Sequence, residues 1–547
     1  MRHRWAITAA IAVISFFSGG WLLQRGTGDQ TGVFRSARVF DDVMNHVRHF
    51  YVDSLPEADL YKKATDGLLA ELKDPYSVLL VEDDFRDLTE KTSGNYAGLG
   101  IQIDVRDGWI TVVAPLPDSP AERAGIETGD QIVEVDGKST HDWNSEQAVK
   151  SLRGSAGSKV KIVVRRAGFA DPMPYELQRA TIHIRSVPAG TMFDNGIGYI
   201  SLNPVSETSA QELRDEILAM KGKGMKSMVL DLRNNPGGLL DQGVKVTDLF
   251  LDPGQEIVST RGRSRGATRE FKDADPQLDP KLPIVVLVSE GSASAAEIIA
   301  GALQDHDRAL VVGTPTFGKG LVQTLYPLGE STALKLTTAR WFTPSGRTIQ
   351  REAKSEEDQL RQVMLDSDPT RKRDTVPDTA MAKRPVFKTD AGRTVRGGGG
   401  IVPDVIVRAD TFTAGEREFI KAVGEKAAAY RDVLTAYALE LKQQKAVTSE
   451  GFAVTPAMRS ALHDRLGRKG ITMPRATFDS AAGFLDQQLG YEVSRYVFGR
   501  PAEFKRRAQD DPQMQTALTL LRKASAPRDL FTLASAETAP AQAVKPD

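Results

Sequence analysis

Cysteine is absent from all 547 residues. Disulfides, thiolate metal centres and a lipid anchor on cysteine are therefore excluded, although this absence assigns no compartment. Formal charge is close to balanced, at −1, so no basic field points to nucleic acid. Histidine is scarce, with seven residues at positions 3, 46, 49, 141, 183, 306 and 463. They form no His-Glu-x-x-His pair and no cluster at metal-ligand spacing, so no metal or other cofactor is expected. His306 falls on a predicted helix and is expected to face solvent. His183, between Ile182 and Ile184, is expected on the open face of a strand. A Ser-His-Asp arrangement is disfavoured on that basis. Gly-x-x-x-x-Gly-Lys-Ser/Thr and Gly-x-Gly-x-x-Gly patterns are missing too, which weakens a nucleotide site.

Two short runs carry the chemistry that is present. Ser294 stands in Gly291-Ser292-Ala293-Ser294-Ala295-Ala296-Glu297, and Lys319 follows 25 positions later in Thr316-Phe317-Gly318-Lys319-Gly320. A hydroxyl needs a neighbouring base before it attacks a carbonyl, and a lysine serves once burial makes its amine neutral. Each run alone reads as a structural turn. The apolar stretches around them alter that reading. Ile284–Val288 and Ala309–Gly313 are short continuous apolar runs, as in buried parallel strands. Between them, Glu297–His306 carries Ile298, Ile299, Ala302 and Leu303 at helical spacing. Ser294 is thus expected at the carboxyl end of a strand, beside a helix N-terminus. Open α/β sheets place ligands in that crevice, and the helix dipole there favours negative charge. The next strand returns Thr316–Gly320 to the same edge. A third strand, Met228–Leu232, leads into Arg233-Asn234-Asn235-Pro236-Gly237-Gly238 and a helix from Leu239. Two glycines at such a turn let backbone N–H groups approach a ligand closely. Ser292 shares its turn with Ser294, and spacing does not separate them as nucleophiles.

Further blocks lie on either side. They are Asp74-Pro75-Tyr76-Ser77, then Gly98-Leu99-Gly100 through Gly125-Ile126-Glu127-Thr128-Gly129-Asp130, and later Trp341-Phe342-Thr343-Pro344-Ser345-Gly346-Arg347 with Gly400-Ile401-Val402-Pro403-Asp404. With these in order, the chain resembles the carboxyl-terminal processing proteases, tail-specific serine peptidases of Ser–Lys type with a PDZ domain, over roughly residues 35–408. The resemblance implies Ser294 as nucleophile, Lys319 as general base, and Gln323, one helical turn beyond, as the residue holding the amine. It implies an oxyanion hole from backbone N–H groups of Gly237 or Gly238 and of Ala295, supported by Glu297, Asp305 and Thr316. Gly98, Leu99, Gly100 and Ile101 are implied as the peptide-binding segment of the PDZ domain. Its turn would offer N–H groups to a terminal carboxylate while the adjoining strand pairs with the peptide. The fold class implied is multidomain, α/β and α+β. An α/β peptidase core carries an inserted β-rich PDZ domain, an N-terminal helical region and a C-terminal helical extension. The expected function is a serine endopeptidase that recognises substrate C-termini and processes or degrades extracytoplasmic proteins. The alternative is an inactive or latent PDZ scaffold that binds C-terminal tails. Expected partners are proteins or peptides with free C-termini, an adaptor protein and a second copy in a homodimer, without nucleic acid.

The chain is expected to divide as follows. Residues 1–25 are a signal peptide or membrane anchor: Trp5–Leu23 carries no charged residue behind the basic Met1-Arg2-His3-Arg4. That length favours an uncleaved anchor, with the remainder in the periplasm or cell envelope. Residues 30–94 form the N-terminal helical region, where Val39, Phe40, Val43, Val47, Phe50 and Tyr51 make an apolar stripe suited to dimerisation or to capping the core. Residues 95–182 are the PDZ domain, with Asp136-Gly137 as a hairpin turn and Arg153 as an ordinary surface arginine, the alternative being a link from this domain to the protease body. Residues 183–408 are the peptidase core, interrupted by a charged insertion over 351–390. Residues 411–532 form a helical extension that packs on the protease or binds a partner, and 533–547 a disordered tail.

Overall fold

Residues 30–166, 168–188, 190–352, 384–408 and 412–538 are described by the computed structural model. The chain divides into two units, residues 1–79 and 80–547. The smaller contains the helices Gln30–Phe50 and Glu57–Glu71. Val39, Phe40, Val43 and Phe50 of the first, and Tyr51 just past its end, are exposed, whereas Val47 is half-buried. The expected membrane segment, residues 1–25, lies outside the described residues; among these, no helix is long and apolar enough to cross a membrane.

Alternation of side chains builds the core of the larger unit. Its central sheet runs in the order Thr191–Phe193, Ile197–Ser201, Ser227–Asp231, Ile284–Val288, Leu310–Gly313 and Val405–Ile406. All neighbours are parallel except the first pair. Parallel strands buried on both faces read as unbroken apolar runs, because successive residues point to opposite sides. Met228, Leu230, Ile284, Val286 and Val288 point to one side. There they meet the helices Ser209–Gly222, Leu240–Asp248 and Ala295–Asp305 through Leu213, Ile217, Val246, Ile298 and Ile299. Val229, Val285, Leu287, Leu310 and Val312 point to the other. That face is covered by Met514, Ala517, Leu518, Leu521 and Leu530, from the helices Pro512–Lys523 and Asp529–Thr538. The last helices of the extension are therefore an outer layer on the central sheet itself. Earlier helices, from Ala414 to Val493, enclose a separate core around Phe419, Leu434, Leu462, Phe478 and Leu485.

A second, antiparallel sheet contains Leu321–Pro327, Thr332–Phe342, Glu256–Gly262 and Arg269–Lys272. The β-rich domain has strands Ile101–Arg106, Trp109–Pro115, Gln131–Val135, Lys159–Arg165 and Met173–Gln178, and a helix Ser145–Leu152. Asp136 and Gly137 both have positive φ, as a two-residue hairpin turn requires. Asn95–Gly98 and Ala180–His183 pair antiparallel, so the chain enters and leaves this domain through one ribbon.

Two expectations need adjustment. The charged insertion lies mostly outside the described residues, but its end does not: Val386–Lys388 pairs with Thr394–Arg396 in a hairpin. The tail expected to be disordered from 533 begins as helix, with Ala534 packed under the sheet, because alanine is a strong helix former and fits closely against a neighbour.

Candidate active site

Val288 ends its strand, and the chain turns through Ser289–Ser294 into the helix Ala295–Asp305. The hydroxyl of Ser292 is consumed within this turn. It donates to Leu232 O at 2.7 Å and accepts from Ser289 N–H at 2.9 Å, in a fully buried side chain. Ser294 is partly exposed. Its backbone lies at φ 53°, ψ −116°, a region that costs a non-glycine residue about 1–3 kcal/mol and persists only where surroundings enforce it.

Glu297 supplies that enforcement. Oε2 accepts from the N–H of Ser294 at 2.8 Å and of Lys319 at 2.9 Å. Oε1 accepts from Gly318 N–H at 2.7 Å and from the Thr316 hydroxyl at 2.5 Å. The side chain is wholly buried. Burial pushes its carboxyl above the ordinary range, while the four donors favour the charged form and oppose that shift. Thr316 is held in turn by Ile401, whose N–H donates to its Oγ1 at 2.7 Å. A side chain at Gly400 would overlap the Thr316 carbonyl, so the glycine run before Ile401 is what permits this approach. The Lys319 carbonyl accepts from Trp341 Nε1 at 3.1 Å.

The Arg233–Gly238 loop closes the site on its other side. A Cβ on Gly237 would stand 2.5 Å from Ala293 O and 2.8 Å from the Ser294 Cβ. Asn235 sets the loop: its Nδ2 donates to the carbonyls of Leu202 and Asn203, both at 2.8 Å, and its Oδ1 accepts from Gly237 N–H at 2.8 Å. Of the two glycines, Gly238 is the one whose N–H has no partner among the described residues; the same holds for Ala295. Arg233, at the loop's start, pairs with Asp231 at 2.7 Å and with Asp511 of the extension at 2.6 Å. Nothing in the spacing of the sequence announced Asn235 or Asp511.

Ser294, Lys319, Glu297, Thr316, Gly237, Gly238 and Ala295 are thus brought together. Gln323 lies on the strand Leu321–Pro327, beside a register shift after Val322, rather than on a helical turn. Its Nε2 is buried without a hydrogen-bond partner among the described residues. Asp305 stands at the far end of the helix, about 15 Å away at 1.5 Å per residue. It bonds Arg347 at 2.7 Å and Ser345 N–H at 3.0 Å, and so fixes a turn distant from Ser294. His306 does not face solvent: its side chain is 7% exposed, with Nε2 2.7 Å from Glu256 O and Nδ1 2.8 Å from Asp390. His183 is exposed, as expected of it.

In the β-rich domain, Gly98, Leu99, Gly100 and Ile101 line a cavity of about 440 Å³, which Val149 and Leu152 of the facing helix close. Gly100 has φ 72° and lies so close to Ser119 that a side chain there would clash with it. Arg153 is not an ordinary surface arginine. Its Nη1 donates to Glu90 Oε2 at 2.6 Å, and its guanidinium stacks 4.9 Å from the Tyr96 ring centroid.

Fold and site together define a serine peptidase core carrying a PDZ domain. Residues 196–358 match peptidase family S41, and residues 111–166 match a PDZ domain. The carboxy-terminal-processing protease of Bartonella bacilliformis is 40% identical over 328 residues, covering 59% of this chain and 75% of that protein. The carboxy-terminal processing protease CtpA of Bacillus subtilis is 38% identical over 303 residues, 55% of this chain and 64% of its own length. A solved photosystem II D1 C-terminal processing protease is 28% identical over 59% of this chain and 90% of that one, with a TM-score of 0.34. The chain belongs to the carboxy-terminal processing serine proteases of family S41.

Proposed function

We propose that Ser294 and Lys319 form the catalytic pair of an endopeptidase that takes its substrates by their C-termini. The observation that supports this most is the Glu297 carboxylate, a single buried acceptor for the N–H groups of Ser294, Gly318 and Lys319. It fastens the serine turn and the lysine loop into one piece. In this reaction Ser294 Oγ attacks the scissile carbonyl, and the neutral Lys319 amine takes the hydroxyl proton and delivers it to the leaving nitrogen. Water then repeats the cycle on the acyl-enzyme. The N–H groups of Gly238 and Ala295 meet the oxyanion, at the positive end of the helix Ala295–Asp305. Gln323 orients the lysine amine. The Gly98–Gly100 turn receives the substrate's terminal carboxylate, and the strand from Ile101 pairs with the residues before it. Tethering raises the local concentration of the scissile segment, so weak docking suffices for selective cleavage. The uncharged Trp5–Leu23 run supports an extracytoplasmic setting, and the exposed stripe of helix Gln30–Phe50 suits a homodimer or adaptor contact.

Cleavage of an unfolded protein with an apolar C-terminus tests the pair. Ser294→Ala and Lys319→Ala should each lose activity by about a thousandfold or more, while Ser292→Ala keeps most of it. Activity retained in both of the first two variants would sink the assignment.

A further inference from the structure

The C-terminal extension reaches the peptide groove. Its helix Arg500–Asp510 begins with Arg500, whose Nη1 donates to Gln102 Oε1 at 2.9 Å. Arg500 lines the same cavity as Gly98, Ile101 and Ile103. It is exposed, and among the described residues no carboxylate pairs with it. A cation at the first position of a helix also faces the positive end of the helix dipole. The other guanidinium at the groove, Arg153, is already matched by Glu90. Arg500 therefore presents to the groove a positive charge that no described residue neutralises.

Strand addition decides which peptide side chain it meets. The Gly98–Gly100 turn immediately precedes Ile101, so a terminal residue whose carboxylate it holds lies opposite Ile101. Side chains of opposed residues share a face, and the face alternates at every step. Ile101 and Ile103 pack toward the domain core, whereas Gln102 is exposed on the other face, where Arg500 bonds it. The residue opposite Gln102 is the penultimate one.

Building on the carboxyl-terminal reading of this groove, we propose that Arg500 recognises an acidic side chain at the penultimate position of the substrate. The groove then selects on two grounds, an apolar terminal residue within the PDZ domain and a negative charge matched by the extension.

Fluorescence anisotropy with the Ser294→Ala full chain tests this without cleavage. The probes are labelled peptides ending in valine that differ only in penultimate Glu, Gln or Lys, together with the Glu peptide amidated at its C-terminus. The Glu peptide should bind roughly twofold to fivefold more tightly than the Gln peptide, as a solvent-accessible ion pair allows. Arg500→Gln should erase that difference, and Arg500→Glu should turn the preference toward Lys. An undiminished Glu preference in Arg500→Gln overturns the proposal. So does equal binding of Glu and Gln peptides by a groove that still rejects the amide. If the amidated peptide binds as well as the free acid, the carboxyl-terminal reading fails, and the role of Arg500 fails with it.

Discussion

A carbon atom added to Gly237 has no room between Ala293 and Ser294, so the approach of the two loops depends on a missing side chain. The neighbouring Asn235 works in the opposite sense, spending every polar atom of its side chain on backbone partners. One position must be empty and the other full. Elsewhere a single carboxyl sets a pH response. Asp273 is buried, and burial, then the nearby Asp248 carboxylate, pushes it up to about 7. An unfolded aspartate titrates near ~3.9. Between those values the folded chain binds the extra proton, so stability contributed here falls as pH rises from ~4 to about 7 and remains lower above it. Asp273→Asn removes the penalty. Its Tm should exceed that of the parent by a few degrees at pH 8, with the gap closing toward pH 5. Two Tm curves running parallel across that range would contradict the assignment.

Loops gain their precision from what they share. In Glu297→Gln the amide NH2 would face either the Ser294 and Lys319 N–H groups or the Thr316 and Gly318 donors, leaving two donors without an acceptor. Each such loss costs about 1–3 kcal/mol. A shift of an ångström between serine and lysine costs about a hundredfold in rate. The variant should therefore show a kcat about a hundredfold lower and a lower urea midpoint, with KM little altered for a substrate held by the PDZ groove. An unchanged kcat would show that the two loops keep their places without the carboxylate. The strands and helix around Ser294 were legible because continuous apolar runs and helical spacing are local properties. Observed limits agree to within a residue or two: Ile284–Val288, Ala295–Asp305 and Leu310–Gly313. The two serines of the turn were not separable, since the acceptor of the Ser292 hydroxyl proton is Leu232 O, 60 positions away. Gln323 was placed on a helical turn because a four-residue interval fits one, whereas pairing with Thr332–Phe342 draws it into a strand. Arg153 reads locally as an ordinary surface arginine for the same reason, its partner Glu90 being 63 positions distant.

Taken as a whole, the molecule closes its central sheet with helices from the far end of the chain. Leu518 is 1% exposed and packs beneath the strands that carry the site. Leu518→Ala should cost about 2–5 kcal/mol in urea unfolding, the penalty of a core cavity. A cost below about 1 kcal/mol, the range of surface substitutions, would mean that the last helices are an appendage. Among the contacts that tie the extension to the rest of the larger unit are the sheet face, the Arg233–Asp511 pair and the Arg500–Gln102 bond. The second carries a consequence for the order in which the protein is made. Ser294, Lys319 and the glycine loop leave the ribosome long before Asp511, and until it arrives Arg233 lacks its outer partner. A partly made chain thus holds Ser294, Lys319 and the glycine loop before the residue that braces Arg233 from outside has been added.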